Sequence, residues 1–255
     1  MADIVADLLW PEPPSAASEG TLEGVCALVR LPAHAHVLAT RYRLVRSSLC
    51  SSATANGATG SVENVENGSS GMHLRLEELY VGLFHGFLRL RTPLLHTCEG
   101  SAGDGDANDD RTDDAQAANF SAKLLAAVAR HPPPPPHTPP PQLSAATAAR
   151  LRVFRDLWER GFHVAFGSKF AAELLVYADA PARAHAVALV LVRDWDAPLA
   201  AVQLASHCRV ATMVKKRLLL ASWRPLGAGM QEDEVVYVGV DHALLATRHE
   251  THGDA

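Results

Sequence analysis

Residues 144–161, SAATAARLRVFRDLWERG, set Leu151, Phe154, Leu157 and Trp158 three or four positions apart. That spacing lines them along one face of a helix. Ser144 can cap its first free N–H groups, and Gly161 stops it. Beyond it the period changes. Residues 163–166 and 170–177 read as two arms of a hairpin about a turn at Gly167 and Ser168. Residues 185–195, HAVALVLVRDW, are almost continuously apolar, as in a strand covered on both faces. A helix is predicted over 198–207 and further strands over 217–223 and 235–240. The expected unit is a mixed sheet of four or five strands flanked by helices, covering residues 143–255.

The first part of the chain is less regular. Strand-like pieces fall at 24–30 and 42–45. Leu76, Leu79, Tyr80 and Leu83 then recur at helical spacing before Gly86 and a strand-like 87–90. Residues 1–96 are therefore expected to form a small α+β domain. It is interrupted at 47–71 by a Ser, Gly, Asn and Thr-rich insertion with too little to bury to offset its ordering entropy. Residues 97–142 join an Asp, Gly and Ala tract to HPPPPPHTPPP and are expected to act as a linker. A short helix over 120–130 fits between the two. The class is α/β, more strictly α+β.

Composition narrows this picture slightly. The chain has 255 residues, 48% of them apolar, and a net charge of −5. Most of the acidity lies in the linker, which carries −4, and a basic cluster, VKKR, stands at 214–217. No apolar run reaches the roughly 18 residues of a membrane-spanning helix, and the N-terminus lacks the basic start of a secretory signal. A soluble intracellular protein without membrane partners is expected. Cys26, Cys50, Cys98 and Cys208 show no metal-ligand spacing and read as reduced thiols.

Tyr177 ends one expected strand, His185 opens the next, and Lys216 precedes a third. On spacing alone each has an ordinary structural reading: a core tyrosine, a turn histidine and a solvated lysine. His131 and His137 read as solvated spacers, His207 as a helix-end or surface residue, and Trp158 as core. Residues 231–234 are an acidic tip that suits either a docking loop or an exposed hairpin turn.

Longer motifs carry more weight. Leu157-Trp158-Glu159-Arg160-Gly161, Gly167-Ser168-Lys169-Phe170, Leu175-Val176-Tyr177, Asp179-x-Pro181-x-Arg183-x-His185-Ala186 and Val214-Lys215-Lys216 follow one another over about residues 150–223. In order and spacing this stretch resembles the catalytic domain of the tRNA-splicing endonucleases, most of all the eukaryotic catalytic subunit that cuts the 3′ splice site. The leucine-rich segment at 74–90 is similar to the family's N-terminal half. The chain departs from the family at Ala171, Ala172 and Glu173, where glycines and an aspartate are usual, and at Ala184, where an aromatic is usual.

The resemblance implies a restriction-endonuclease-like fold and cleavage of intron-containing pre-tRNA without a metal or other cofactor. Tyr177 would be the base at the ribose 2′-hydroxyl, His185 the acid at the 5′-oxygen, and Lys216 the stabiliser of the phosphorane. The products would be a 2′,3′-cyclic phosphate and a 5′-hydroxyl. Lys216, with Lys215 or Arg183 near it, would favour the phenolate that a tyrosine base requires, since phenol ordinarily titrates near 10; the alternative role for Tyr177 is to orient the 2′-hydroxyl. Arg183 and Lys215 are the expected substrate-binding residues. A second catalytic subunit and two structural subunits would complete a nuclear heterotetramer. Two alternatives stand beside this reading. A structural subunit of the same assembly would lack a complete triad. A metal-dependent nuclease of restriction-enzyme fold would need Glu-x-Lys, whereas Glu173 is followed by two leucines.

Overall fold

The computed structural model describes residues 4–9, 22, 24–45, 71–92, 110–129, 143–224 and 234–241. They form two sheets that share one apolar core. The first sheet has the order β3-β2-β1-β4, built from β1 (Ile4–Leu9), β2 (Cys26–Val29), β3 (Met72–Leu74) and β4 (Leu88–Arg91). Strand β1 runs antiparallel to β2 and parallel to β4. Two helices accompany it, α1 (Pro32–Thr40) and α2 (Leu76–Phe84). Pro32 occupies the first turn of α1, where its missing N–H costs nothing.

Strand β1 lay outside the sequence reading because Asp7 breaks its apolar run. Asp7 is nevertheless buried, held by Arg30 of the β2 end and Arg91 of β4. Burial alone would raise its pKa, but the two guanidinium groups outweigh that and hold the carboxyl below its usual range. Residues 42–45, expected as a strand, make only a single parallel bridge, Leu44 to Val164. Most of the 47–71 insertion lies outside the described residues.

The linker reading needs correction in its middle. Residues 110–129 form a 20-residue helix, α3 (Asp110–Ala129), longer than the short helix expected over 120–130. It packs rather than merely spacing: Ala117, Phe120, Leu124 and Val128, three or four residues apart, are buried, the last three against Tyr80 and Leu151. The remaining parts, 97–109 and 130–142, lie outside the described residues, as do Cys50, Cys98, His131 and His137.

Helix α4 (Ala145–Glu159) begins as predicted, with the Ser144 hydroxyl accepting the Thr147 N–H, and Gly161 follows its end at φ +93. It covers one face of the second sheet, whose order is β5-β6-β7-β8-β9: β5 (His163–Phe166), β6 (Leu174–Tyr177), β7 (Ala188–Asp194), β8 (Arg217–Arg224) and β9 (Glu234–Val240). All neighbours are antiparallel except β7 and β8. That parallel pair needs a crossover, supplied by α5 (Ala201–Met213) on the opposite face. Ala188 and Val190 face the α4 side, among Val153 and Phe154, while Leu189 and Leu191 face Cys208 and Ala211 of α5. Two covered faces explain the unbroken apolar run of β7.

Two boundaries differ from expectation. The strand predicted from Phe170 begins at Leu174, because residues 168–170 form a 3-10 turn in which the Phe170 and Ala172 N–H groups both return to the Gly167 carbonyl. Gly167 is required there, since a Cβ would stand 2.8 Å from the Ala172 carbonyl oxygen. The helix predicted over 198–207 runs on to Met213, so His207 lies within it rather than at its end. Among the described residues, no helix is long and apolar enough to cross a membrane.

Candidate active site

Register brings the expected residues to one end of the second sheet. Tyr177 is the last residue of β6, opposite His163 of β5. Val187 stands beside it on the next strand, its N–H bonded to the Val176 carbonyl, and Lys216 immediately precedes the Arg217 that pairs with Ala188. Side chains alternate along a strand, and the α5 face is marked by Ala165, Leu175, Leu189 and Leu218. Tyr177 and Lys216 therefore belong to that same face. Both are half-buried, whereas His185 is exposed.

Local chemistry shapes each position. Between Tyr177 and His185 the chain makes a tight turn in which the Arg183 and Ala184 N–H groups both reach the Ala180 carbonyl. Asp179 fastens it, accepting the Ala180 N–H at 2.7 Å and both sides of the Arg183 guanidinium. These contacts hold the Asp179 carboxyl below its ordinary range. The Asp-x-Pro-x-Arg-x-His motif thus has a structural meaning: it fastens the turn that joins Tyr177 to His185. Arg183, expected as a substrate contact, is exposed but already engaged by Asp179.

Lys216 is delivered by the end of α5. Its N–H bonds to the Ala211 carbonyl and the Lys215 N–H to Thr212, the paired bonds of a Schellman cap. Lys215 occupies the left-handed position of that cap, at φ +53, where glycine is usual. It is exposed, and its neighbour turns inward: the Lys216 ammonium donates to the Ala186 carbonyl at 3.0 Å. Lys216 is thereby tied to the residue after His185. The site gathers a phenol, an imidazole and an ammonium within three adjacent strand ends, which suits proton transfer and neutralisation of a phosphate. Among the described residues, no cluster of His, Cys, Asp and Glu has a metal-binding arrangement. Glu173 is used structurally, its carboxylate accepting the Val192 N–H.

The LWERG motif proves to be a joint. Trp158 donates its indole N–H to the Tyr42 carbonyl at 2.6 Å and accepts, through its own carbonyl, from Arg43 at 2.9 Å. Its ring is half-buried and covered by the Arg43 guanidinium. His163, read from the sequence only as the start of a hairpin arm, is the cross-strand neighbour of Tyr177. The hairpin about Gly167 could have revealed it, had its register been known.

Part of the chain is similar to known proteins. Residues 147–234 match the family model described as tRNA intron endonuclease, catalytic C-terminal domain. Over that segment, about a third of its length, the chain is similar to this family. It is 38% identical over 96 residues to the tRNA-splicing endonuclease subunit Sen34 of Mus musculus and 35% identical over 96 residues to that of Homo sapiens. Those matches cover 38% of this chain and 28% and 29% of the relatives, so the chain spans less than a third of their length in alignment. It is also 40% identical over 70 residues to a tRNA-splicing endonuclease of Saccharolobus islandicus (strain L.S.2.15 / Lassen #1), covering 28% of this chain and 38% of that one.

Proposed function

We propose that the chain is a catalytic subunit of a tRNA-splicing endonuclease and cleaves intron-containing pre-tRNA at the 3′ splice site. The observation that supports this best is the convergence of Tyr177, His185 and Lys216 at adjacent strand ends, within a segment of the matching catalytic family. In the proposed reaction the Tyr177 phenolate takes the proton of the 2′-hydroxyl, and the 2′-oxygen forms a bond to the adjacent phosphorus. The P–O5′ bond breaks as His185, as imidazolium, gives its proton to the leaving 5′-oxygen. Lys216 offsets the extra negative charge of the phosphorane. The products are a 2′,3′-cyclic phosphate and a 5′-hydroxyl, with no metal in any step. Exposed Lys215 remains available for phosphate, whereas Arg183 would have to share its charge with Asp179.

Partners follow from the same reading. Among the described residues, strand β9 is the sheet edge, paired with β8 and presenting Val238 to solvent at 53% exposure. A bare apolar edge is a template for another strand. A small structural subunit is its proposed partner, within a nuclear assembly of two catalytic and two structural subunits.

The test is cleavage of pre-tRNA by the reconstituted assembly containing His185→Ala. Loss of 3′-site cleavage by about 10²- to 10⁴-fold with RNA binding retained is expected. Cleavage should continue in excess EDTA and leave a cyclic phosphate. Undiminished activity of the variant, magnesium dependence, or a 5′-phosphate on the downstream fragment would refute the proposal.

A further inference from the structure

His163 stands directly opposite Tyr177, and residues opposite one another in an antiparallel pair share a face with Cβ atoms about 5 Å apart. On the far side of β5, the bridge between Leu44 and Val164 brings Arg43 alongside His163. Arg43 arrives at an uncommon backbone conformation, φ +56, that a side chain adopts only when its surroundings hold it there. Those surroundings are Trp158, whose ring the guanidinium covers at 4.9 Å and whose carbonyl it bonds.

Two buried atoms are left over. The Nε of Arg43 and the Nδ1 of His163 are each shielded from solvent without a hydrogen-bond partner. They are not bonded to one another in the structure, yet they are chemically complementary, since Arg43 Nε can only donate and a neutral imidazole always keeps one acceptor nitrogen. We propose that Arg43 fixes His163 as the tautomer with a bare Nδ1 and a protonated Nε2, and that this Nε2–H donates to Tyr177 Oη, making His163 a positioning residue that stabilises the phenolate. The inference rests on the proposed role of Tyr177 as base.

The charge environment is consistent with a neutral donor. Burial and the Arg43 charge hold the His163 imidazole below its ordinary pKa; Arg183 adds to this and Asp179 opposes it. An imidazolium at this position would stabilise a phenolate more strongly, but it would leave Arg43 facing a second cation. A neutral Nε2–H avoids that repulsion and still supplies the hydrogen bond that a phenolate gains over a phenol. It also links the base to the 42–45 segment, so that the first part of the chain contributes to a site whose other members all come from the second.

Long-range proton–nitrogen NMR spectra of the full chain read the tautomer without reference to activity. A protonated Nε2 is expected, and a protonated Nδ1 overturns the proposal. In the reconstituted assembly, His163→Phe should lower kcat about tenfold at neutral pH, leave KM within twofold, and displace the falling limb of the pH–rate profile, which follows the higher-titrating Tyr177, to higher pH. His163→Gln, whose Nε2 can replace that of histidine, should recover most of the rate. An unshifted profile in His163→Phe, or no recovery in a folded His163→Gln, would overturn it. If wild-type cleavage is absent, or Tyr177→Phe cleaves like the wild type, the role of Tyr177 fails instead, which separates the two outcomes.

Discussion

Ala171 holds the left-handed conformation, φ +52, that closes the 3-10 turn before β6. An L-residue with a Cβ resists that region by about 1–2 kcal/mol, and glycine does not. This gives physical sense to the glycines that the family resemblance leads one to expect there. Ala171 is exposed, so no packing would be lost on replacement. Ala171→Gly should raise stability by roughly 0.5–1 kcal/mol after the entropic cost of glycine, measured as a higher urea midpoint at unchanged slope. Glu78 poses the opposite case. It is completely buried, and burial pushes its pKa from the usual 4.5 to about 8, even though one oxygen accepts the Arg75 N–H; the neighbouring Glu77 adds to the rise. Between these two values the folded chain retains a proton that the unfolded chain has lost. Stability should therefore fall as pH rises through that window. Glu78→Gln keeps an acceptor for the Arg75 N–H and should flatten the decline, as read by urea midpoints at pH 5 and pH 8.

Among the elements, α3 departs furthest from expectation. Its acidic start and alanine-rich body carry little periodic signal, and only the 120–124–128 spacing betrays a buried face. Leu124 is fully buried, so Leu124→Ala should destabilise by about 2–5 kcal/mol, measured by urea unfolding. Replacing residues 97–109 with Gly and Ser should instead leave cleavage within about threefold. Strand β9 illustrates a second contrast. Its apolar run reads as an edge needing a cover, yet Val235 and Tyr237 already pack on the core, and the Tyr237 hydroxyl donates to Asp156 of α4 at 2.6 Å. Deleting the strand would therefore damage the fold as well as the edge. Val238→Asp is the cleaner change. It should abolish co-purification with the structural subunit while leaving the circular dichroism spectrum intact.

Across the whole molecule, the division into an N-terminal part and a catalytic part is crossed by a common core. Ile4, Val29 and Leu79 lie in the same apolar cluster as Phe154, Val164 and Val190. Polar ties follow the same path, from Glu77 to Arg150 and from Tyr42 to Trp158. Thermal unfolding of the full chain should accordingly show one cooperative transition; two resolved transitions would mean that the sheets are separable.

Periodicity alone determined the elements whose faces are chemically distinct. The Ser144 cap, the 151–154–157 face and the doubly covered β7 were legible because hydrophobic burial and capping act within a few residues of chain. Tyr177, His185 and Lys216 were marked only by the resemblance of the motifs around them, since on spacing alone each had an ordinary structural reading. Their union was not legible. It depends on the β6-β7-β8 order and on a parallel crossover, which only long-range strand pairing decides. Arg43 and His163 lie 120 positions apart and show no local pattern. Tertiary structure alone made them neighbours, because one bridge at Leu44 lays the first part of the chain against the outer strand of the second sheet.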